Sequence, residues 1–310
     1  MSSTTQSIAR ELALGLLTQQ WQPQWLSPSR ISGAEQLLQA CLEEAIAIRE
    51  AGRAQLSLEL LQAAEQAGLV SPWLIDNQAR ALVELEERQA AWQLWQRLIE
   101  HSDNAAAENA RSMMDLQESS LLDALGSVCA RDSWVPRHLS DPTQGSLLER
   151  VLQEIITTRE SNAAQLSLDL AIATRNQGWN DPWLFDNQAR ALVHLHRDAE
   201  ALEIWQQLQA HADEQLAATA NEMVQLYGAR VAEQELERRC RQLIEQGDRD
   251  QAEALLLQAL RKAPAAPGLR EQLAQLLGGG SESDLLSQEL QQRNAHLAVH
   301  ERLLDALEQR

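Results

Sequence analysis

The chain has 310 residues and a formal net charge of −19, from 45 acidic and 26 basic side chains. An acidic field of this size repels phosphate backbones and anionic lipid headgroups, so we expect neither nucleic acid nor a membrane surface as a partner. No apolar stretch approaches the roughly 20 residues that a membrane-spanning helix needs, so we expect no transmembrane segment.

Composition favours helices throughout. Good helix formers such as Ala, Leu, Gln, Glu and Arg dominate, whereas the chain has 13 Gly, 8 Pro, one Tyr and one Phe; this predicts an all-α protein. The first ten residues are polar and lack the apolar core of a secretory signal. Three widely separated cysteines, Cys41, Cys129 and Cys240, form neither a disulfide framework nor a CxxC metal motif. We therefore expect a cytoplasmic protein.

An internal duplication dominates the sequence. The octapeptide from Asp76 to Val83 recurs letter for letter from Asp186 to Val193, and 25 of 48 positions are identical between 54–101 and 164–211. A Trp-x-Pro-x-x-Leu-Ser motif precedes each block. One copy therefore runs from about residue 21 to 125 and the other from about 134 to 230; we call them the first copy and the second copy.

Within each copy, apolar residues recur at helical spacing, and Gly, Asn and Pro punctuate the breaks. Ser71 or Asp181 stands at an N-cap position, followed by a proline at the first helical position. The predicted helices of the first copy are 34–50, 54–67, 73–86, 89–100 and 105–118. Those of the second copy are 145–160, 164–177, 183–196, 199–210 and 215–226.

A more divergent segment follows the second copy. It predicts one helix from Cys240 to about Gly247, a second from Arg249 to Lys262 and a short third helix over 268–277. Gly278 to Ser281 reads as a flexible hinge. Beyond the hinge, leucines on a 4-3 rhythm predict an amphipathic helix, either a short coiled coil or a terminal helix packed on the repeats. Four regions result: 1–125, 126–235, 236–277 and 278–310.

The helical hairpins resemble tetratricopeptide repeats, which place small residues where two helices cross, a large residue on the second helix and a closing proline. The residues that carry the resemblance are Ala79, Leu82, Ala91, Trp95 and Leu98; Ala189, Leu192, Ala201, Trp205 and Leu208; and Cys240, Leu243, Ala252, Leu256, Ala259 and Pro264. The match is looser over 34–68 and 145–178. The family pattern contains neither the Trp-x-Pro loops nor a 110-residue period.

The resemblance implies a right-handed α-solenoid whose first helices line a concave groove that holds a peptide or helix of a partner protein. It places the groove residues on the twin octapeptides and their flanks, with Asn77 and Asn187 where the family grips a peptide backbone through an amide. The candidate site is Trp73, Asp76, Asn77, Arg80 and Val83 or Glu84 in the first copy, and Trp183, Asp186, Asn187, Arg190 and Val193 or His194 in the second.

Two further considerations bear on the candidate site. An acid at Asp76 and Asp186 opposes a carboxylate ligand, so the sequence predicts a basic or neutral segment as the partner. The alternative is purely structural, because Asp76 and Arg80 stand four residues apart, the spacing of a helical ion pair. The Trp-x-Pro loops at Trp21 and Trp134 also have two interpretations, as exposed binding anchors or as staples that pack a long loop.

No catalytic or metal motif is visible. The sequence has no phosphate-binding GxxxxGK[ST] loop, no GxSxG and no HExxH. His194 and His196 point to different faces of a helix, and His296 and His300 lack a third ligand. We therefore expect no cofactor, no metal and no catalytic residues.

The function predicted from sequence is a non-catalytic scaffold or adaptor. Two alternatives stand beside it: a structural protein that forms homo-oligomers through 281–310, and an accessory helical subunit of an enzyme.

Overall fold

The computed structural model describes residues 2–262 and, beyond them, residues 270, 273 and 276. This part of the chain contains α-helices, one short 3-10 helix and no strand. The helices are α1 (Ser2–Thr18), α2 (Ala34–Glu50), α3 (Ala54–Gln66), α4 (Pro72–Glu84), α5 (Arg88–Ile99), α6 (Asn104–Arg131), α7 (Leu147–Glu160), α8 (Ala164–Asn176), α9 (Pro182–His194), α10 (Asp198–Leu208), α11 (Glu214–Glu245) and α12 (Arg249–Lys262), with the 3-10 turn at Pro142–Gln144.

Two compact units make up the chain, Met1–His211 and Ala212–Arg310. In the first unit, helices that follow one another in sequence pack against one another from α2 to α6 and from α7 to α10. The predicted all-α class is confirmed, and this stacking is the arrangement expected of an α-solenoid. The predicted boundary near residue 125 lies within α6, and the one near 235 lies within α11.

The hairpins of the two copies are held together by the residues that the repeat pattern assigned to helix crossings. Ala79, Ala91 and Trp95 are completely buried in the first copy, as are Ala189, Ala201 and Trp205 in the second. Alanine at a crossing lets two helix backbones approach closely, and the tryptophan fills the space beside it. The predicted packing roles of these residues are therefore confirmed.

Backbone conformation repeats with the sequence. Residues with positive φ end corresponding helices in both copies: Gly52 and Asn162 follow α2 and α7, and Glu86 and His196 follow α4 and α9. These residues let the chain reverse direction within two or three positions, since the left-handed region redirects the backbone after the last helical turn. The loop before α2 and the loop before α7 likewise begin at positive φ, at Gln20 and Ser133.

The two copies meet within the first unit. The turn between α4 and α5 lies against the turn between α8 and α9, where the backbone N–H of Gln89 donates to the carbonyl of Gly178 at 3.2 Å. The Arg88 guanidinium donates to the Gln177 carbonyl at 2.7 Å. Beside these bonds, the rings of Trp92 and Trp179 contact edge to face, with centroids 5.2 Å apart. Polar and aromatic contacts thus join the second copy to the first.

The second unit contains α11 and α12, which pack against each other. Cys240, Ala252 and Leu256 are completely buried, in agreement with the packing slots that the repeat pattern assigned to them. Leu243, Ala259 and the closing Pro264 belong to the same pattern, and Pro264 lies outside the described residues. The hinge at 278–281 and the predicted helix over 281–310 also lie outside them. Within the described part of the chain, no helix is both long and apolar enough to cross a membrane.

Three helices differ from the sequence prediction. α1 was not predicted, α6 continues to Arg131 rather than ending near 118, and α11 runs unbroken to Glu245 across the predicted gap before Cys240. The C-terminal half of α6 packs on α8, and α1 packs on α3 in the same way. α1 and the extended part of α6 thus each cover the helical hairpin that follows them.

Candidate functional site

In each copy, three predicted site residues lie along one stripe of the helix that begins the central hairpin, α4 in the first copy and α9 in the second. Spacings of seven and four residues place Trp73, Arg80 and Glu84 on one side of α4, and the same spacings place their counterparts on one side of α9. We call this stripe the first-helix face. It comprises Trp73, Arg80 and Glu84 in the first copy and Trp183, Arg190 and His194 in the second.

The two tryptophans are fixed at the start of their helices. The backbone N–H of Trp73 donates to the Ser71 hydroxyl at 3.2 Å, and that of Trp183 donates to the Asp181 carboxylate at 2.9 Å. Trp73 as a whole is nevertheless 37% exposed, and Trp183 is half-buried. A large aromatic ring is thus presented at the same place in both copies by a capped helix end.

Asp76 and Asp186 do not belong to this face, which corrects the sequence prediction. Both are buried, and their carboxylates accept hydrogen bonds from the interior: the Trp95 indole N–H donates to Asp76 at 3.0 Å, and the Trp205 indole N–H donates to Asp186 at 2.9 Å. Arg80 and Arg190 neutralise the same two carboxylates at 2.8 and 2.7 Å. The aspartates tie the two helices of a hairpin together.

The asparagines are also buried, and their donors are used within their own helix. The side-chain amides of Asn77 and Asn187 each donate to the carbonyl four residues earlier, at Trp73 and Trp183, at 2.9 Å. The Asn187 carbonyl oxygen accepts from Arg159 at 2.9 Å. The expectation that these amides grip a bound peptide backbone is therefore corrected, because they brace the first turn that carries the tryptophan.

Charged groups on the first-helix face remain accessible. The side chains of Arg80 and Arg190 are 31% and 34% exposed. Glu84 is exposed and forms an ion pair with Arg49 of α2 at 2.8 Å, whereas His194 stands exposed at the corresponding place in the second copy. Val83 and Val193 are half-buried, and Val83 packs on the core of the first copy.

The Trp-x-Pro loops are packing staples. The Trp21 indole N–H donates to Glu44 at 2.7 Å, and the backbone N–H groups of Gln24 and Trp25 donate to the other oxygen of the same carboxylate at 2.8 Å. Glu44 is completely buried. A carboxylate that accepts several N–H bonds in the interior is satisfied only while the loop stays folded over it.

The second copy repeats the device with Glu154. That buried carboxylate accepts from the Trp134 indole at 2.7 Å and from the backbone N–H groups of Arg137 and His138 at 2.8 Å. Sequence reasoning missed both glutamates. The signal was a Glu at an otherwise apolar helical position, 110 residues apart, in the shared pattern Glu-x-Ile-x-x-Arg-Glu at 44–50 and 154–160.

The pKa shifts of the cysteine and carboxyl groups arise from burial and from local hydrogen bonds. Burial raises the pKa of the Cys41 thiol to about 12 and that of Cys129 to about 11, so both are protonated and weakly nucleophilic at neutral pH. Hydrogen bonds lower the pKa of surface carboxyl groups that cap or pair within their own helices: Asp141 with Thr143, Glu149 with Ser146, Glu200 with Arg197 and Glu235 with Arg238.

No group of three or more His, Cys, Asp or Glu side chains in the described ranges is arranged to hold a metal ion. His194 is exposed on the first-helix face, and His196, also exposed, follows α9 at positive φ. His296 and His300 lie outside the described residues.

The predicted preference for a basic or neutral ligand relied on exposed carboxylates at Asp76 and Asp186. Both are buried and each is matched by an arginine, so neither opposes a negative ligand at the surface. The charge of the first-helix face is therefore set by other residues, and it differs between the copies at Glu84 and His194.

No protein-family model matches the chain, and no curated protein matches its sequence.

Proposed function

We propose that this protein is a non-catalytic scaffold that binds a segment of a partner protein, as an extended peptide or a helix, along the first-helix face. The observation that supports the proposal is the repeated presentation of a tryptophan. The capped turn and the Asn side-chain hydrogen bond fix the backbone of Trp73 and Trp183, while Trp73 stays 37% exposed.

An accessible tryptophan on a rigid support is suited to protein recognition. Tryptophan is enriched among the residues that dominate binding energy at interfaces. A side chain whose backbone is already ordered loses little conformational freedom on binding. The arginines and the Glu84 or His194 position supply polar contacts along the same stripe, as the rim of an interface does.

The architecture supports the same proposal. Stacked helical hairpins create extended surfaces on their first helices, and each added hairpin repeats the same contact positions. We propose that the hairpins are of the tetratricopeptide type and that the stack is right-handed, as the residues at the helix crossings suggest. The three free, buried cysteines are compatible with the cytoplasmic location that we also propose.

Capture of partners from a native lysate of the source cells tests the proposal. The bait is the full-length chain, either unchanged or with both Trp73→Ser and Trp183→Ser. We expect the unchanged protein to retain a defined partner. The double variant should bind that partner at least about tenfold more weakly, since truncation of a central tryptophan costs about 2 kcal/mol or more at many interfaces.

The matched control is Trp25→Ser, because Trp25 is 36% exposed but lies in the loop before α2. Equal loss of the partner with the control variant and with the double variant would place the binding surface elsewhere. No retained partner with any bait would count against the scaffold function itself.

A further inference from the structure

The two copies differ at one contact on the first-helix face. In the first copy, Arg49 of α2 donates to the Glu84 carboxylate of α4 at 2.8 Å, with the two side chains 19% and 40% exposed. The equivalent residues 110 positions later are Arg159 on α7 and His194 on α9. The arginine is retained while the carboxylate is replaced, so the second copy lacks the negative group that occupies this place in the first.

Arg159 is held in position by other bonds. Its guanidinium donates to the Asn187 carbonyl oxygen at 2.9 Å, and the Asn187 amide is itself fixed by the carbonyl of Trp183. Among the residues that the structure describes, Arg159 forms no ion pair. Its planar, forked donor set is therefore oriented by one bond and keeps further N–H groups for a ligand.

The electrostatic surroundings of Arg159 favour a negative ligand. Partial burial and the nearby positive charge of Arg190 lower the pKa of Arg159, while Asp186 and Glu160 act in the opposite direction. Asp186 is buried and already paired with Arg190 at 2.7 Å. Relative to the first copy, this surface carries one fewer negative charge, since His194 stands in place of Glu84.

We propose that the second copy binds an acidic side chain of the partner, a Glu or Asp, between Arg159 and His194, in the place that the Glu84 carboxylate takes beside Arg49. Glu84 is the stand-in for the ligand, because it shows the chemical group and its contact with one guanidinium nitrogen at 2.8 Å. In the first copy, the chain's own Glu84 occupies the guanidinium of Arg49. In the second copy, no carboxylate of the described residues forms an ion pair with Arg159. This subsite rests on the proposed function of the first-helix face.

The copies supply reciprocal variants. His194→Glu installs the carboxylate that closes the first copy, and Glu84→His removes it. Both positions are exposed, so both variants should keep the melting temperature of the unchanged protein within a few degrees, as surface substitutions usually do. Arg159→Lys, which removes the forked donor set, identifies the Arg159 side-chain signal in nuclear magnetic resonance spectra of the full-length, nitrogen-15-labelled chain.

The probe is N-acetyl-glutamate methylamide, whose only charge is the side-chain carboxylate, and the matched neutral probe is the glutamine analogue. We expect the glutamate probe to shift the Arg159 guanidinium signal saturably. Binding should weaken about tenfold in His194→Glu, because the internal carboxylate competes for a charge-assisted hydrogen bond. Glu84→His should create an equivalent response at Arg49.

Three results would overturn the subsite: an equal response to the glutamine analogue, an unchanged affinity in His194→Glu, or stronger binding of N-acetylalanine, which carries only a chain-terminal carboxylate. The first would show that charge is not recognised, and the third that a chain end is the ligand.

Failure of the subsite can be separated from failure of the scaffold function. If the double tryptophan variant loses the captured partner and His194→Glu retains it fully, the face binds a partner without this carboxylate contact. If the glutamate probe binds at Arg159 but no partner is retained by any bait, the subsite exists and the scaffold proposal is wrong.

Discussion

At the scale of single residues, the repeated octapeptide serves mainly to pack the hairpin. Asp76 and Asp186 satisfy buried indole N–H groups. Gln78 donates to the Glu65 carboxylate at 2.9 Å, whereas its copy Gln188 accepts from Arg175 at 2.6 Å. An amide offers both a donor and an acceptor, so it remains satisfied when its partner changes sign. Identity of sequence here follows from interior hydrogen bonding.

The buried glutamates are the residues on which we expect the loops to depend most. Glu44→Gln replaces one acceptor oxygen by an NH2 group that faces N–H donors from Trp21, Gln24 or Trp25. We expect the free energy of unfolding to fall by about 2–4 kcal/mol, since buried donors lose a charged acceptor. Urea denaturation of the full-length chain measures the change.

The neighbouring glutamate provides the control for this prediction. Glu43 accepts a hydrogen bond from Gln39 in an exposed position, so Glu43→Gln should cost less than about 1 kcal/mol. Equal losses from the two variants would show that the carboxylate at residue 44 does not hold the loop.

At the scale of helices, the sequence predicted the interior hairpins well and the long helices poorly. Gly52 and Gly68 end α2 and α3, because a positive φ redirects the chain there. Ser71 begins α4 as its N-cap. α6 has no such residue near 118, and it continues because its C-terminal half finds a surface on α8. That surface is tertiary, so local pattern could not reveal it.

Gly178, before α9, lies where the turn between α8 and α9 approaches the turn between α4 and α5. A Cβ at Gly178 would lie 2.1 Å from the Glu86 carbonyl oxygen, whereas a Cβ at Gly68 meets nothing within 4 Å. Both residues have positive φ, at 77° and 86°. Gly68→Ala should therefore cost only the backbone strain of about 1 kcal/mol, and Gly178→Ala should cost about 3 kcal/mol or more because the turns must separate.

Thermal unfolding of the two glycine variants measures this difference. The copies match in backbone conformation, so Gly68→Ala subtracts the strain that both substitutions share. Similar melting temperatures for the two variants would mean that the turn between α4 and α5 moves away from the added Cβ with no loss of stability.

At the scale of the whole chain, duplication predicted where the packing residues lie but not where the copies meet. Trp92 and Trp179 have no tryptophan counterparts, since Leu202 and Leu69 occupy the matching positions. The aromatic part of the contact between copies is therefore made by residues that differ between the copies. The candidate site has the same limit: the family resemblance placed Trp73, Asp76, Arg80 and Glu84 on one face, while the burial of Asp76 depends on Trp95 from another helix. Self-assembly through 281–310 stays a prediction of the sequence.

The contact between Trp92 and Trp179 implies that the copies depend on each other for stability. Trp92 belongs to the first copy, yet it packs against the core of the second, which includes Val151, Leu170 and Trp179. We expect Trp92→Ala to destabilise the second copy by about 2 kcal/mol or more, because it removes a large aromatic contact from a core. Hydrogen exchange measured by mass spectrometry on the full-length chain should then show faster exchange in α7 and α8, beyond the substituted helix.

With Trp25→Ala, a change confined to the loop before α2, those helices should keep their protection. Loss of protection in α5 alone after Trp92→Ala would show that the copies are stable independently, and that the shared tryptophan contact only orients them.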